Sequence, residues 1–371
     1  MKRRSSAILL AGALTLAACS DDSGGEQPPA PALAPPSSAA PSASAAPAPT
    51  GAPDLDADPE TLATGIDVPW GLAFLPDGSA LVAERDKARV MQIAPGRAPR
   101  VAYRVPDVDP GGEGGLLGLA LAKDYAQTRW VYAYTTADDD NRIVRFKLGS
   151  DEKPEVIFDG IAKAGNHNGG RIAFGPDGML YVGVGDAAEP DRAQNPASPN
   201  GKILRLTPDG DPAPGNPRAD SPVWTSGHRN VQGLAWTADG VMYATEFGQS
   251  RLDEVNRIEK GKNYGWPQVE GDERDDPRFQ KPVVTWATSE ASPSGAAIAG
   301  DMLYVAALRG ERLWTVPLDG GKPEAHFTGK WGRLRTVAVA PDGALWLTSS
   351  NTDRDDNVRK GDDRILRFPA R

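Results

Sequence analysis

The chain has 371 residues, 39% of them hydrophobic and 7% aromatic, enough to bury one large core or two medium ones. Its formal net charge of −9 excludes a binder of the phosphate backbone, which needs a basic surface to release counterions. With 41 glycines and 34 prolines the composition favours a turn-rich all-β chain over a helical one.

Lys2, Arg3 and Arg4, followed by the short apolar stretch 7–18, read as an export signal over residues 1–18. That stretch is shorter than the ~20 residues a membrane-spanning helix needs. The only cysteine, Cys19, ends the run Leu16-Ala17-Ala18-Cys19, which resembles a bacterial lipobox. The resemblance implies that Cys19 is lipidated and that the protein is exported and held to a membrane by its lipid anchor. The plainer alternative is an ordinary signal peptide with a stray cysteine. Residues 19–55 then collapse to Pro, Ala, Ser and Gly, with almost nothing apolar to bury, and are expected to form an extended tether. The folded domain is expected over residues 56–371.

That domain repeats one hairpin. Residues 71–84 read GLAFLPDGSALVAE, an alternating apolar run, a Pro-Asp-Gly turn and a second alternating run. Residues 171–186, 233–248 and 336–351 repeat the pattern, and 117–136 and 295–310 are weaker copies. Alternation on both sides of a Gly-containing turn is a hairpin signal, in which Pro presets φ and Gly takes the left-handed position. Short third strands follow at 89–91, 142–144, 202–204, 312–314 and 364–366. Six hairpins spaced by about forty to sixty residues predict a six-bladed β-propeller, with residues 60–64 pairing to the last blade to close the ring.

The repeat also aligns polar residues around one end of the predicted axis. His167 precedes its turn as Arg229 precedes its own, and Glu113, Arg333 and Arg335 hold similar places in other copies. A hairpin's second strand returns to the same end, which adds Asp186, Gly248, Gln249 and Arg309. Arg333 and Arg335, two apart on a strand, point to one face. Arginines converging on a funnel call for a polyanionic guest, since clustered cations repel. His228 and His326 are read as structural. No zinc-type spacing, nucleotide-cradling loop or serine elbow occurs.

In their order along residues 60–371, these motifs resemble the soluble quinoprotein sugar dehydrogenases, six-bladed propellers that carry pyrroloquinoline quinone (PQQ). The motifs are Gly114-Gly115-Leu116-Leu117-Gly118, residues 167–171 and 183–186, and His228-Arg229-Asn230-Val231-Gln232-Gly233. Asp253-Glu254, Asn263-Tyr264-Gly265-Trp266-Pro267, Leu308-Arg309-Gly310 and Arg333-Leu334-Arg335 follow. The resemblance implies oxidation of aldose sugars at the anomeric carbon to lactones. It makes His167 the general base, Asp186 its orienting carboxylate, and Arg229 and Asn230 contacts to the reactive edge of the quinone. Glu113, Gln232, Thr288, Arg309, Arg333 and Arg335 become further cofactor contacts. It places a calcium ion on the carbonyls of Gly248 and Gln249, and a second, structural calcium on Glu254 and the Tyr264 carbonyl. The electron acceptor stays open between a quinone, a cytochrome and a dye.

The chain departs from the glucose-oxidising members at Glu113, Asn166, Gln249 and Arg274, the last of which weakens the second calcium site. Short loops suggest an open pocket and broad aldose specificity. Two other readings share the fold: a non-catalytic propeller lipoprotein that binds a glycan or protein, and a calcium-dependent propeller lactonase.

Overall fold

The computed structural model describes residues 51–272, 275–353 and 358–371. The export signal, Cys19, the tether up to residue 50 and Arg274 lie outside the described residues. The strands follow the hairpin repeat, with one strand ahead of it, β1 (Glu60–Thr64). Blade one is β2 (Pro69–Phe74), β3 (Ala80–Glu84), β4 (Arg89–Ile93) and β5 (Arg100–Arg104). Blade two is β6 (Leu116–Leu121), β7 (Trp130–Thr136), β8 (Asn141–Lys147) and β9 (Glu155–Ile161). Blade three is β10 (Arg171–Phe174), β11 (Leu180–Val184), β12 (Lys202–Leu206) and β13 (Val223–Ser226). Blade four is β14 (Val231–Trp236), β15 (Met242–Glu246), β16 (Leu252–Ile258) and β17 (Val284–Ala287). Blade five is β18 (Pro293–Ala299), β19 (Met302–Ala307), β20 (Arg312–Pro317) and β21 (Glu324–His326). Blade six is β22 (Leu334–Val339), β23 (Leu345–Ser349) and β24 (Arg364–Phe368), completed by β1 as its outermost strand. The protein is a six-bladed β-propeller of antiparallel four-stranded sheets.

The hairpin turns follow the predicted chemistry. Gly78, Gly178, Gly240 and Gly343 take φ of 81°, 82°, 88° and 83°, a region closed to most side chains. The first strand of each blade lines the axis, and these six strands pack in a closed ring, β2 on β6 and β22 included. Glycine permits that crowding. A Cβ at Gly118 would meet the Gly170 carbonyl at 2.2 Å, and one at Gly71 the Leu117 carbonyl at 2.4 Å.

The hydrophobic core lies between blades. Leu117, Tyr132 and Ile143 of blade two pack on Leu180, Val182 and Leu204 of blade three. Each such fully buried side chain contributes about 1.5–3 kcal/mol. Ring closure rests on β1, which pairs antiparallel with β24. Ahead of it, the Asp54 amide donates to Pro369 O at 2.8 Å and the Arg371 amide to Ala52 O at 2.9 Å, within the stretch expected to be tether.

On the axis, Arg171 ties four blades together. Its Nε donates to Gln232 O at 2.7 Å, its Nη2 to Thr336 Oγ1 at 3.1 Å, and its guanidinium lies 4.3 Å from the Trp70 ring centroid. Burial, reinforced by Arg335, pushes its pKa down to about 9.

Candidate active site

His167 sits in the loop entering β10 with a left-handed backbone, φ 57°. Few non-glycine residues adopt that region. Its backbone N–H donates to Glu113 Oε2 at 2.9 Å, so blade two fixes the turn that blade three supplies. The ring is held at both nitrogens. Nδ1 lies 2.8 Å from Asp186 Oδ1, and Nε2 lies 2.7 Å from Arg229 Nη2. A guanidinium can only donate, so Nε2 is an acceptor and Nδ1 carries the proton toward Asp186. Asp186 is fully buried and is oriented by the Trp266 indole N–H at 2.8 Å on Oδ2 and the Ala188 amide at 2.9 Å on Oδ1. The arrangement is a neutral imidazole with a basic Nε2 and an anionic orienting group behind it, the geometry of a general base.

Arg229 is fixed as firmly. Nε and Nη2 donate to Gln249 Oε1 at 2.9 and 2.8 Å, and Nη1 donates to Phe247 O at 3.1 Å. Burial lowers its pKa, opposed by Asp186 and Glu246. Gln249 therefore contributes its side chain here, beyond the carbonyl expected of it. Next to Arg229, Asn230 is fully buried; its Oδ1 accepts the Gly169 amide at 3.0 Å, while its Nδ2 has no partner among the described residues.

Beside this dyad opens a cavity of about 670 Å3 whose lining includes Glu113, Asn166, Gln232, Arg309, Arg335 and Asp353. Arg333 lines it as well, and Arg309 is exposed on its wall. Gln232 Oε1 accepts Ser294 Oγ at 2.8 Å and faces Arg335 Nη1 at 3.5 Å. The expected arginine cluster is present, but its charge does not await an anionic guest, because a carboxylate of the protein already meets it. Asp353 already accepts from Arg335 Nη2 at 2.7 Å, from Arg333 Nη2 at 3.4 Å and from Arg85 Nη1. Burial alone would raise the Asp353 pKa, but Arg335, Arg85 and Arg333 outweigh it and hold it at about 2.

The loop after β15 is tied down by two carboxylates. Asp253 Oδ1 accepts the Gly248 amide at 2.9 Å. Glu270 Oε1 accepts the amides of Gln249, Ser250, Arg251 and Leu252 at 2.9, 3.0, 2.9 and 3.2 Å. With their N–H groups engaged, Gly248 and Gln249 keep their carbonyls as hard oxygen donors. Burial pushes Asp253 up to about 6, a cost a nearby cation would relieve. Behind this loop Glu246 and Glu254 pair across β15 and β16. Burial and the facing Glu246 push Glu254 well above the usual carboxylate range. Glu246 is engaged by His228 Nδ1 at 2.8 Å, and the His228 ring stacks on Tyr264 at 4.7 Å. Glu254 and Tyr264 are thus near neighbours of one buried carboxylate pair, but no group of three or more His, Cys, Asp or Glu suited to a metal occurs among the described residues.

Thr288 is not placed with the others. It follows β17, the outermost strand of its blade, is half-buried, and its hydroxyl donates to Ser250 O at 3.4 Å. From that loop it is Ser292, at the start of the next innermost strand, that reaches the cavity wall. Arg85, Asp353, Glu270 and the Trp266 indole were missed by sequence reasoning. Arg85 and Asp353 follow the second strands of blades one and six, the position that singled out Asp186 and Arg309 in other blades.

A family model described as Glucose / Sorbosone dehydrogenase matches residues 66–359. The PQQ-bound aldose sugar dehydrogenase of Streptomyces coelicolor is similar in structure, with TM-score 0.81 and 49% identity, over 86% of this chain and 100% of that one. The aldose sugar dehydrogenase YliI of Escherichia coli is 30% identical over 334 residues, 79% of this chain and 90% of its own. Quinoprotein glucose dehydrogenase B of Acinetobacter calcoaceticus is 30% identical over 253 residues, 58% of this chain and 53% of its own.

Proposed function

The chain belongs to the glucose/sorbosone dehydrogenase family, and we propose that it is a PQQ-dependent sugar dehydrogenase that oxidises aldoses at the anomeric carbon to lactones. The observation that carries this reading is the His167–Asp186 dyad, tied through the His167 amide to Glu113 on the wall of a cavity also lined by Arg309, Arg333 and Arg335. A base next to an arginine-lined cavity suits an alcohol oxidation that uses a polycarboxylated acceptor. The residues present fit PQQ. Arg309, Arg333 and Arg335 on the cavity wall match its carboxylates. When bound, PQQ supplies the two-electron oxidant.

The protein supplies position and a proton acceptor. His167 Nε2 takes the proton of the anomeric hydroxyl as that carbon is oxidised, and Asp186 stabilises the imidazolium that results. Arg229, now on Nε2, yields part of its hydrogen bond to the substrate hydroxyl while Gln249 and Phe247 hold its other donors. Calcium, which the family resemblance implies, would be held by the Gly248 and Gln249 carbonyls, with a second ion at Glu254 and Tyr264. A lactonase is disfavoured by the Arg171 guanidinium on the axis, a poor neighbour for a channel metal. The lipid anchor at Cys19 is part of the same proposal. The test is to reconstitute the purified domain with PQQ and calcium and assay aldoses with a dye acceptor. Aldose-dependent dye reduction that needs both additions supports the reading, and none with any aldose overturns it.

A further inference from the structure

Asp353 occupies the place where an anionic ligand of this cavity would seek its cations. It lines the cavity with its side chain 11% exposed, and three guanidinium groups converge on its two oxygens. Arg85 divides itself between Asp353 and Asp86, at 2.6 Å from Asp86 Oδ1. Arg335 is further held by Ser350 Oγ at 2.9 Å. Asn351 and Thr352, just ahead of Asp353, are held by groups other than this carboxylate. Asp363 accepts the amides of Asn351 and Thr352, and Asn351 Nδ2 donates to Trp331 O at 2.9 Å. Among the described residues, the contacts of the Asp353 carboxylate are with arginines.

We propose that Asp353 is an internal counter-ion that stands in for a cofactor carboxylate in the apo-protein, stabilising the unloaded fold and competing with the cofactor for Arg333 and Arg335. This rests on the reading of the cavity as a polycarboxylate site. A ligand carboxylate must either take guanidinium donors now held by Asp353 or settle beside a second negative charge. Both lower its affinity. Asp353 thus trades cofactor affinity for the stability of the protein before loading.

The test is Asp353→Asn, which keeps the shape and removes the charge, with Asp353→Glu as the charge-preserving control. Apo-protein thermal unfolding and titrations with PQQ, in calcium, and with citrate, a tricarboxylate without a quinone, are compared with wild type. Asp353→Asn should unfold a few degrees lower and bind PQQ about tenfold or more tightly, while Asp353→Glu stays within about threefold of wild type. Equal or weaker PQQ binding by Asp353→Asn overturns the proposal. If that variant folds only when PQQ is present, the cofactor has replaced the counter-ion and the proposal stands; if PQQ binds wild type but fails to recover the variant, it falls. Wild type that ignores PQQ overturns the functional reading alone when Asp353→Asn still gains citrate affinity, and both when it does not.

Discussion

At the scale of single residues, His167 and Arg335 are assigned different duties and should fail differently. His167 acts on a proton in the transition state, so His167→Ala should lower turnover by ~10²–10⁴-fold and leave PQQ affinity near wild type. Pre-steady-state kinetics and a PQQ titration of the same preparation separate the two effects. Arg335 is 3% exposed and shares Asp353, Ser350 and Gln232. Removing it together with Arg333 should weaken PQQ binding by about two to four decades, two charge-assisted contacts of ~1.5–3 kcal/mol each being lost. It should also lower the melting temperature, since among the described residues Arg85 is then the one arginine left on Asp353. Asp353 gives this a pH signature. Its folded pKa, about 2, lies below the ordinary carboxylate value, so its stabilisation is complete above pH ~4 and disappears as pH falls through about 2. The difference in melting temperature between wild type and Asp353→Asn should be full near pH 6 and shrink toward pH 2.5. The sequence exposed His167, Asp186 and Arg229 because each breaks the apolar pattern at an equivalent point of the repeat. Asp353 stands at such a point too, but its role depends on three arginines from two blades meeting it, and no spacing encodes that.

Among the elements, the inner two strands of each blade were legible because both faces or one face must be apolar at period two around a Pro-Asp-Gly turn. The outer strands were not. β5 and β21 are largely exposed, carry little alternation, and are defined by pairing to a neighbour rather than by their own residues. The glycines of the inner strands are packing residues. Gly118→Ala would drive a Cβ into the Gly170 carbonyl and should cost ~1–3 kcal/mol or more, measured by denaturant unfolding. In the loop over residues 248–251 the amides are collected by Asp253 and Glu270. Glu270→Ala should leave the fold intact but release the four amides it collects, seen as faster hydrogen exchange at residues 249–252 with little change in the blades. Unchanged exchange there would show that the loop holds itself.

At the scale of the whole propeller, the ring is closed by β1, with the candidate site built from the loops at one end of the inner strands and Arg171 linking four blades. The blade count and the closing strand were readable from the repeat, and the family from the resemblance of the ordered motifs. The cavity was not, because its walls come from loops of different blades. Deleting residues 51–64 removes the partner of β24 and should lower the melting temperature by ten degrees or so, while Cys19→Ser should move the protein from the membrane fraction to the soluble one without loss of activity. The most direct test of the central claim is a single titration: wild-type apo-protein in calcium receives PQQ while aldose-dependent dye reduction is recorded, with His167→Ala alongside. The account predicts that activity in wild type rises in step with bound PQQ and saturates, and that His167→Ala binds the same PQQ yet turns over ~10²–10⁴-fold more slowly. Wild-type activity that is independent of PQQ, or a His167→Ala protein as active as wild type at equal occupancy, would contradict it.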